Sequence, residues 1–306
     1  MVAAAAEGAV VAEEADVVED AVVVAAKCDW SKLPALGVGL GYRAPFRHSL
    51  FPHQSSVDFL EVIADHYFEP SPHRRTELEL LRSNFPLIPH GLALSLGSAE
   101  GLDSEYLRLY SELVNQLQPA WCSDHIAFTR AGGIDIGHLT PLPKTSASLM
   151  VLRENIRRLK DLTDVPVILE NITESIRFPE EEFSDADFLG RVCDENDVGL
   201  LLDVTNLFIN SVNHRFDPLE VLERLPKDRV IQLHFVGGHI EGDTWVDSHG
   251  ASTQEEIWQL LGEVVSRFAV RGIILERDEH IPPIEDLVQE LNRAREIMRN
   301  RLRSHG

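Results

Sequence analysis

The chain has 306 residues, 44% of them hydrophobic, so it is long enough for one large domain, or two of ordinary size, with a substantial core. Its 50 acidic and 28 basic residues give a formal net charge of −22, and such a field repels a phosphate backbone. No apolar run approaches the roughly 18 residues that cross a bilayer. Composition therefore predicts a soluble globular protein that binds neither nucleic acid nor a membrane.

Cysteine usage and the first residues indicate the cellular compartment. Cys28, Cys122 and Cys193 are widely spaced and odd in number, which fits neither a disulfide framework nor a CxxC zinc site. The Ala/Val-rich start contains acidic residues where a secretory signal would have a basic flank. We therefore expect a cytoplasmic protein with reduced thiols.

Residues 1–29 differ in composition from the rest of the chain. They are rich in Ala, Val and Glu and show no clean helical or strand period. We predict a low-complexity acidic N-terminal extension that is mobile or loosely helical, with docking onto the body or onto a partner as the alternative. No linker-like stretch divides residues 30–306, so this part is predicted to be a single catalytic domain.

After Trp30, apolar runs of strand length alternate with longer helical patterns. The predicted strands, in chain order, are 36–40, 59–63, 87–91, 122–126, 167–171, 200–204, 231–235 and 272–276. The predicted helices are 74–84, 104–117, 146–162, 184–196, 253–268 and 284–302, with N-caps expected at Ser104, Ser184 and Thr253. Eight mostly apolar strands that alternate with helices favour the α/β class and a (β/α)₈ TIM barrel, with a doubly wound open sheet as the alternative.

In a barrel of this type the functional side chains stand at the C-terminal ends of the strands. Nearly every predicted strand is followed by residues that can bind a metal ion. In chain order they are Glu61, Asp65, His66, His90, Asp124, His125, Glu170, Asn171, Asp203, Asn206, His234, His239, Asp247, His249, Glu276 and Asp278. Converging carboxylates repel one another without a cation, and a mixed His, Asp and Glu set suits zinc, iron or manganese better than magnesium or calcium. The pattern predicts a metal site.

Each of these residues, taken alone, has a structural explanation. A single His or Asp at a strand end is commonly a cap or a hydrogen-bonded core group, and Asn171 or Asn206 could cap the helix that follows. Asp247 and His249 are two residues apart, so in extended geometry both side chains leave the same face and reach one ion or two adjacent ions. The stretch "GVGLG" (37–41) lacks the spacing of a dinucleotide-binding fingerprint and is predicted to serve barrel packing.

Several longer motifs resemble those of one family, the multinuclear non-haem iron-dependent oxidative enzymes. The motifs occur in the family's order and cover roughly residues 36–290. They are "GVGLGYR", "HGLALSLGS", "SDHIAF", "LTPLPKT", "VILENIT", "LLDVTNLFINSVNH", "LHFVGGH", "DSHG" and "LERDEHIPP". The resemblance implies a TIM barrel of the xylose isomerase and endonuclease IV type. It also implies an oxidoreductase that holds two or three Fe(II)/Fe(III) ions and uses O₂ to modify a residue, often Cys, of a ribosomally synthesised precursor peptide.

The resemblance also implies which residues form the site. Carried over motif by motif, the metal ligands are His90, Asp124, His125, Glu170, Asp203, Asn206, His234, His239, Asp247, His249 and Glu276. Asp278, just past the last strand, matches the family's candidate acid or base, and a leader-binding partner protein is expected beside the precursor peptide. Two features depart from the family pattern: Asp65 and His66 stand where a Glu-Asn pair is usual, and the extension 1–29 is not typical.

Other functions fit the same scaffold. A metal-dependent phosphoesterase of the endonuclease type has a similar ligand order, with Asn206 in a histidine's place, but acting on DNA would require a basic groove that this acidic chain does not predict. A sugar isomerase is a third option. A non-enzymatic role, such as iron storage or scaffolding, is disfavoured because the candidate ligands occupy the catalytic end of the predicted barrel.

Overall fold

The computed structural model describes residues 27–304, so the predicted extension, residues 1–29, lies outside the described residues except for its last three. Within the described part, eight parallel strands close into a barrel in the order β1-β12-β9-β8-β7-β4-β3-β2. The predicted (β/α)₈ barrel is therefore confirmed, and the open-sheet alternative is wrong.

The barrel strands coincide with the eight predicted strands to within one residue at every end. The strands are β1 (Gly37–Gly41), β2 (Leu60–Ile63), β3 (Leu87–His90), β4 (Cys122–His125), β5 (Phe128–Ala131), β6 (Ile134–Thr140), β7 (Val167–Glu170), β8 (Gly199–Asp203), β9 (Val230–Phe235), β10 (Gly237–Glu241), β11 (Thr244–Ala251) and β12 (Gly272–Leu275). β5–β6 and β10–β11 are antiparallel hairpins outside the barrel.

Apolar side chains explain why these short runs become barrel strands. Every residue of β8 and β9 is buried, as expected for strands covered on both faces. In β1, a Cβ atom on Gly39 would lie 2.4 Å from the carbonyl oxygen of Phe59, so only glycine permits this approach of the neighbouring strand. The prediction that "GVGLG" serves barrel packing is confirmed.

The helices surround the barrel and largely match the predicted ranges. They are α1 (Arg47–Leu50), α2 (Pro72–Asn84), α3 (Ser104–Leu117), α4 (Ser146–Lys160), α5 (Asp185–Asn196), α6 (Val204–His214), α7 (Pro218–Arg224), α8 (Glu255–Arg267) and α9 (Ile284–Ser304). In the described part of the chain, none of them is both long and apolar enough to cross a membrane.

Two of the three predicted N-caps are wrong. Ser184 caps α5 as expected, but α3 is capped by Asp103, whose carboxylate accepts the backbone N–H groups of Glu105 and Tyr106. At α8 the hydroxyl of Thr253 donates instead to the carboxylate of Glu290 on α9, at 2.5 Å. At α3 the carboxylate of Asp103 is a stronger hydrogen-bond acceptor than a serine hydroxyl, whereas α8 begins after Gln254, whose side chain makes no capping bond.

The lower half of the barrel interior is apolar and closed. Below the level of Gln232, inward-pointing side chains form a buried cluster with Trp30, which enters from a short 3₁₀ helix at Trp30–Lys32. The other members are Phe59, Ile88, Trp121, Ile168, Leu201, Ile231 and Ile274. Asp197 holds the segment in place, because its carboxylate accepts the backbone N–H of Cys28 at 2.7 Å and the indole N–H of Trp30 at 3.3 Å. We call residues 28–33 the plug.

Candidate metal centre

The parallel register of the barrel brings the predicted ligands to one level at its C-terminal end. Glu170 pairs in register with His125, and His234 with Asp203. Ligand-type atoms from these ends form three overlapping groups, within each of which the atoms lie within 4.8 Å of one another. The groups are His90, His125 and Glu170; then Glu170, Asp203, His234 and Glu276; then His249, Glu276 and Asp278. Because Glu170 and Glu276 are shared, the arrangement suits adjacent ions rather than one.

Glu170 lies between three histidines. Its Oε2 atom is 3.5 Å from Nε2 of His90 and 3.4 Å from Nε2 of His125. Its Oε1 atom is 3.2 Å from Nδ1 of His234. Both oxygens of this buried carboxylate thus face histidines, an arrangement suited to sharing between adjacent ions.

His234 is held by a buried hydrogen-bond chain that the ligand prediction left out. Nε2 of His234 lies 2.9 Å from Oε1 of Glu61, and the Gln232 amide donates to Oε2 of Glu61 at 2.5 Å. The indole N–H of Trp121 donates to Gln232 at 2.7 Å. Carboxylates commonly orient a metal-binding histidine in this way, leaving the other ring nitrogen to the metal. The sequence signal was an acid inside the apolar run "FLEVI" (59–63).

Two buried carboxylate oxygens of the cluster have no hydrogen-bond partner. They are Oε2 of Glu170 and Oδ2 of Asp203, on side chains that are fully enclosed. The other oxygen of Asp203 accepts the backbone N–H of Asn206 at 2.6 Å and so caps α6. An enclosed carboxylate oxygen without a donor is costly unless a cation neutralises it. The nitrogen and oxygen donors present here fit a transition-metal ion.

The electrostatic environment supports the same assignment. Burial raises the pKa of Glu170 to about 8, and burial together with the carboxylate of Asp247 raises the pKa of Asp203 to about 7. Burial lowers the pKa of His125 to about 4, so this imidazole is neutral at pH 7. Neutral imidazole is the form that binds metals, and a bound cation would return both carboxyl groups to their ionised form.

Arg43 was missed because a guanidinium does not bind metal, although it ends the quoted motif "GVGLGYR". Its Nη2 atom lies 3.1 Å from Oε1 of Glu276, and Nε donates to Oδ1 of Asp278 at 2.6 Å. The second oxygens face histidines: Oε2 of Glu276 is 3.0 Å from Nδ1 of His234, and Oδ2 of Asp278 is 3.4 Å from Nδ1 of His249. The guanidinium of Arg43 thus holds one oxygen of each carboxylate, so the second oxygen of each faces the site.

Asp124, His239 and Asp247 were predicted ligands but lie outside the three groups, which consist of His, Asp and Glu side chains; Asn206, also a predicted ligand, is an amide and is described below. Asp124 is buried with its oxygens on backbone N–H groups, accepting from His125 at 2.6 Å and from Leu94 at 3.3 Å. It therefore shapes the loop after β3.

Asn206 and His239 are engaged elsewhere. The Asn206 side-chain oxygen accepts the hydroxyl of Thr173, and its amide donates to the carbonyl of Asn171 at 3.1 Å. His239 is exposed on β10, with Nδ1 2.9 Å from the hydroxyl of Ser248, because the hairpin turns it away from the barrel axis. Asp247 stays close to the site, since its Oδ1 lies 2.8 Å from Nε2 of His249.

A cleft of about 390 Å³ opens above the ligand groups. His90, His125 and Glu170 form its floor. Residues 244–249 of β11 form one side, called here the β11 wall, and residues 172–175 after β7 form the other, called the β7 wall. Its apolar lining consists of Leu92, Leu139, Ile172, Trp245 and Val246. The remaining lining residues are polar or charged, and a concave site in which apolar walls surround converging polar groups is suited to ligand binding.

Solved structures share this fold at low sequence identity. D-psicose 3-epimerase with D-tagatose from Clostridium cellulolyticum H10 superposes with a TM-score of 0.56 at 15% identity, covering 87% of this chain and 99% of that one. Endonuclease IV from Thermus thermophilus gives 0.51 at 16% identity, covering 88% and 99%. These likenesses confirm a barrel of the type of endonuclease IV and show the fold alone.

Sequence relatives are much closer. A UPF0276 protein of Anaeromyxobacter sp. (strain Fw109-5) is 35% identical over 262 residues, which are 86% of this chain and 93% of that protein. A UPF0276 protein of Caulobacter vibrioides (strain NA1000 / CB15N) is 34% identical over 264 residues, covering 86% and 94%. The family model described as "RiPP precursor modification enzyme MbnB/TglH/ChrH" matches residues 37–299. The chain therefore belongs to this family of enzymes, which modify precursors of ribosomally synthesised and post-translationally modified peptides.

Proposed function

We propose that this protein oxidatively modifies a residue, often a cysteine, of a ribosomally synthesised precursor peptide, using two or three iron ions and dioxygen. The observation that carries the proposal is the sharing of Glu170 and Glu276 between ligand groups, which suits a cluster of adjacent ions. Family membership supports a peptide precursor as the substrate. A leader-binding partner protein is part of the proposal.

The residues that would hold iron are the members of the three groups other than Asp278, to which a separate role is given below: His90, His125, Glu170, Asp203, His234, His249 and Glu276, with Asp247 beside His249. When bound, the iron ions would supply electrons for the reduction of dioxygen and Lewis-acid charge that lowers the pKa of a substrate thiol. The mixed nitrogen and oxygen set is compatible with iron, as it is with zinc or manganese.

The protein's own residues have separate roles in this proposal. Arg43 fixes Glu276 and Asp278 by one oxygen each, so neither carboxylate rotates when the peptide binds. Asp278 is partly exposed at the cleft, and its Oδ2 atom is the proposed site that takes up and returns a proton. The apolar lining excludes water from the peptide segment that lies over the floor.

The test combines metal analysis with product detection. Protein produced in iron-supplemented cells and purified without oxygen should carry about two to three irons per chain, as the overlapping ligand groups imply. Incubation with a candidate precursor peptide should then change the peptide's mass in air but not without oxygen. Glu170→Gln should lose iron, whereas Glu79→Gln, on the exposed face of α2, should keep it.

Two results would contradict the proposal. Stoichiometric zinc as the sole metal would favour hydrolysis or isomerisation, because zinc is not redox-active. Nicking of abasic-site DNA at the rate of a dedicated repair nuclease would favour the phosphoesterase.

A further inference from the structure

Helix α6 crosses the C-terminal end of the barrel beside the cleft. It begins at Val204, directly after Asp203, whose side chain caps it, and it ends at His214. Its sequence "VTNLFINSVNH" is rich in β-branched and asparagine residues, which are poor helix formers. Because local propensity does not favour this helix, contacts with its neighbours must stabilise it.

One set of contacts ties α6 to the β7 wall. The side chain of Asn210 donates to the carbonyl of Ile172 at 2.9 Å and accepts the backbone N–H of Glu174 at 2.8 Å. Nε2 of His214 lies 2.7 Å from the carbonyl of Glu174. The asparagine amide thus takes the place of a neighbouring strand along a segment that has no regular structure of its own.

A second set of contacts ties the same helix to the β11 wall. The side chain of Asn213 donates to the carbonyl of Trp245 at 2.8 Å and accepts the backbone N–H of Trp245 at 2.9 Å. The Trp245 ring packs edge-on against Phe208 of α6, with centroids 5.1 Å apart. The outer edge of β11 is therefore paired with a side chain of α6.

The β10–β11 hairpin is attached to the rest of the protein at its base, and these attachments alone do not hold the part nearer its tip. At the base, Gln254 bonds both backbone groups of Gly238, at 3.2 and 2.8 Å. The carbonyl of His249 accepts the backbone N–H of Asp278 at 2.9 Å. Towards the tip, Asn213 provides the two backbone hydrogen bonds to Trp245, which lies two residues before Asp247.

We propose that Asn213 is a positioning residue: by pairing with Trp245 it holds the β11 wall in the position at which His249, with Asp247 beside it, reaches Glu276. His249 comes from the hairpin, and its Nδ1 lies 3.5 Å from Oε2 of Glu276, which the barrel itself fixes. The third ligand group therefore joins a hairpin residue to barrel residues, and a tilt of the hairpin separates them. This inference rests on the proposed function only in taking that group as a metal site.

The same helix sets the width of the cleft. Asn210 fixes the β7 wall and Asn213 fixes the β11 wall, one turn apart on α6. The two walls therefore keep a constant separation, and the site is preorganised for an extended peptide before the peptide arrives.

The test compares Asn213→Ala with Asn210→Ala as the matched control. Trp245 is the one partly exposed tryptophan in the described part of the chain, since Trp30, Trp121 and Trp258 are buried. Asn213→Ala should shift tryptophan emission to longer wavelength and increase quenching by acrylamide. Asn210→Ala, which releases the opposite wall, should leave both signals at the wild-type value.

Metal binding gives the second readout. After anaerobic loading with Fe²⁺ alone, Asn213→Ala should bind fewer ions per chain than wild type, because the His249 group is lost while the Glu170 groups remain. Asn213→Asp keeps the acceptor for Trp245 N–H but not the donor, so it should give intermediate values. That variant decides the matter if Asn213→Ala does not fold.

Unchanged quenching and unchanged Fe²⁺ content in Asn213→Ala would overturn the inference. The same Trp245 response in Asn210→Ala would overturn it as well, because α6 would then act on the fold as a whole. If the proposed function fails and no peptide is modified, the tryptophan and Fe²⁺ responses still decide the role of Asn213. The two failures are therefore distinguishable.

Discussion

Glu77 shows how one buried acid supports the rim of the barrel. Its carboxylate accepts the hydroxyl of Tyr42 at 2.7 Å, Nε of Arg47 at 2.7 Å and Nη1 of Arg74 at 3.0 Å. Burial pushes the pKa of Glu77 up, but these donors outweigh burial and leave it below its ordinary value. Tyr42 precedes Arg43, so this network lies directly behind the candidate metal centre.

The sign of the pH dependence follows from that shift. Because the pKa of Glu77 is lower in the folded state, its contribution is complete above the ordinary value of 4.5 and is lost as pH falls through the folded pKa. Glu77→Gln should therefore cost about 1–3 kcal/mol at pH 7 and should flatten the loss of stability below pH 5. Urea unfolding at several pH values measures both effects.

The neighbouring exposed acid supplies the control for Glu77. Glu79→Gln, on the same helix, should leave the curve of stability against pH unchanged. If the Glu77→Gln and wild-type curves run parallel through the acid range, the carboxylate does not contribute in the way described.

At the scale of single residues, the sequence predicted the candidate metal ligands better than the residues that hold those ligands in place. His90, His125, Glu170, Asp203, His234, His249 and Glu276 follow predicted strands and converge, because parallel strands end at one level. Arg43 and Glu61 could not be ranked from the sequence, since their importance depends on which carboxylate or histidine lies opposite. Asn206 and His239 match the family's motifs. The hydroxyl of Thr173 donates to Asn206, however, and Asn206 donates to the carbonyl of Asn171, while β10 turns His239 outward; these contacts are visible only in three dimensions.

At the scale of elements, the plug is a short segment with a large effect on the barrel. Trp30 is 5% exposed, and its ring packs among the side chains that fill the lower half of the interior. Trp30→Ala should cost about 3–5 kcal/mol of unfolding free energy, the usual penalty for deleting a buried aromatic ring. Denaturant unfolding of the whole chain measures it.

A conservative change at Trp30 separates packing from hydrogen bonding. Trp30→Phe keeps a ring in the barrel but removes the N–H that donates to Asp197, so its loss should be markedly smaller. Stability equal to wild type in Trp30→Ala would mean that the plug is not part of the cooperative fold.

Among the elements, the barrel strands were predictable and the surface hairpins were not. Each barrel strand is an apolar run buried on both faces, which the sequence displays directly. The β5–β6 hairpin is exposed and turns through Gly132 and Gly133, with φ of 61° and 72°, so no buried face marks its strands. Helix α6 was not predicted because its residues are poor helix formers, and its stability comes from its contacts with the β7 and β11 walls.

At the scale of the whole molecule, the formal charge of −22 is the dominant long-range feature. Like charges repel more in the compact state than in the unfolded chain, so this excess destabilises the fold. Raising NaCl from about 10 mM to about 150 mM shortens the Debye length from about 30 Å to about 8 Å. The melting temperature should therefore rise, by about 2–4 °C for each kcal/mol of repulsion relieved.

Scanning calorimetry or fluorescence melts across this salt range provide the measurement. A fall in melting temperature would mean that local ion pairs, such as Arg157 with Glu154 and Asp161, stabilise the fold more than the net charge destabilises it. Sucrose, which does not screen charge, is the control that separates ionic from general solvent effects.

The filled lower half of the barrel also determines the order in which molecules enter and leave the candidate metal centre. Because the plug and the side chains above it close that end, a molecule that reaches the ligand groups passes between the β7 and β11 walls. A peptide lying in the cleft covers that passage, so any small molecule that reacts with the peptide has to be inside beforehand or pass beside it. A finished peptide must depart before the next one enters. Product should accordingly compete with substrate for the cleft, and each turnover can begin only when the cleft is empty.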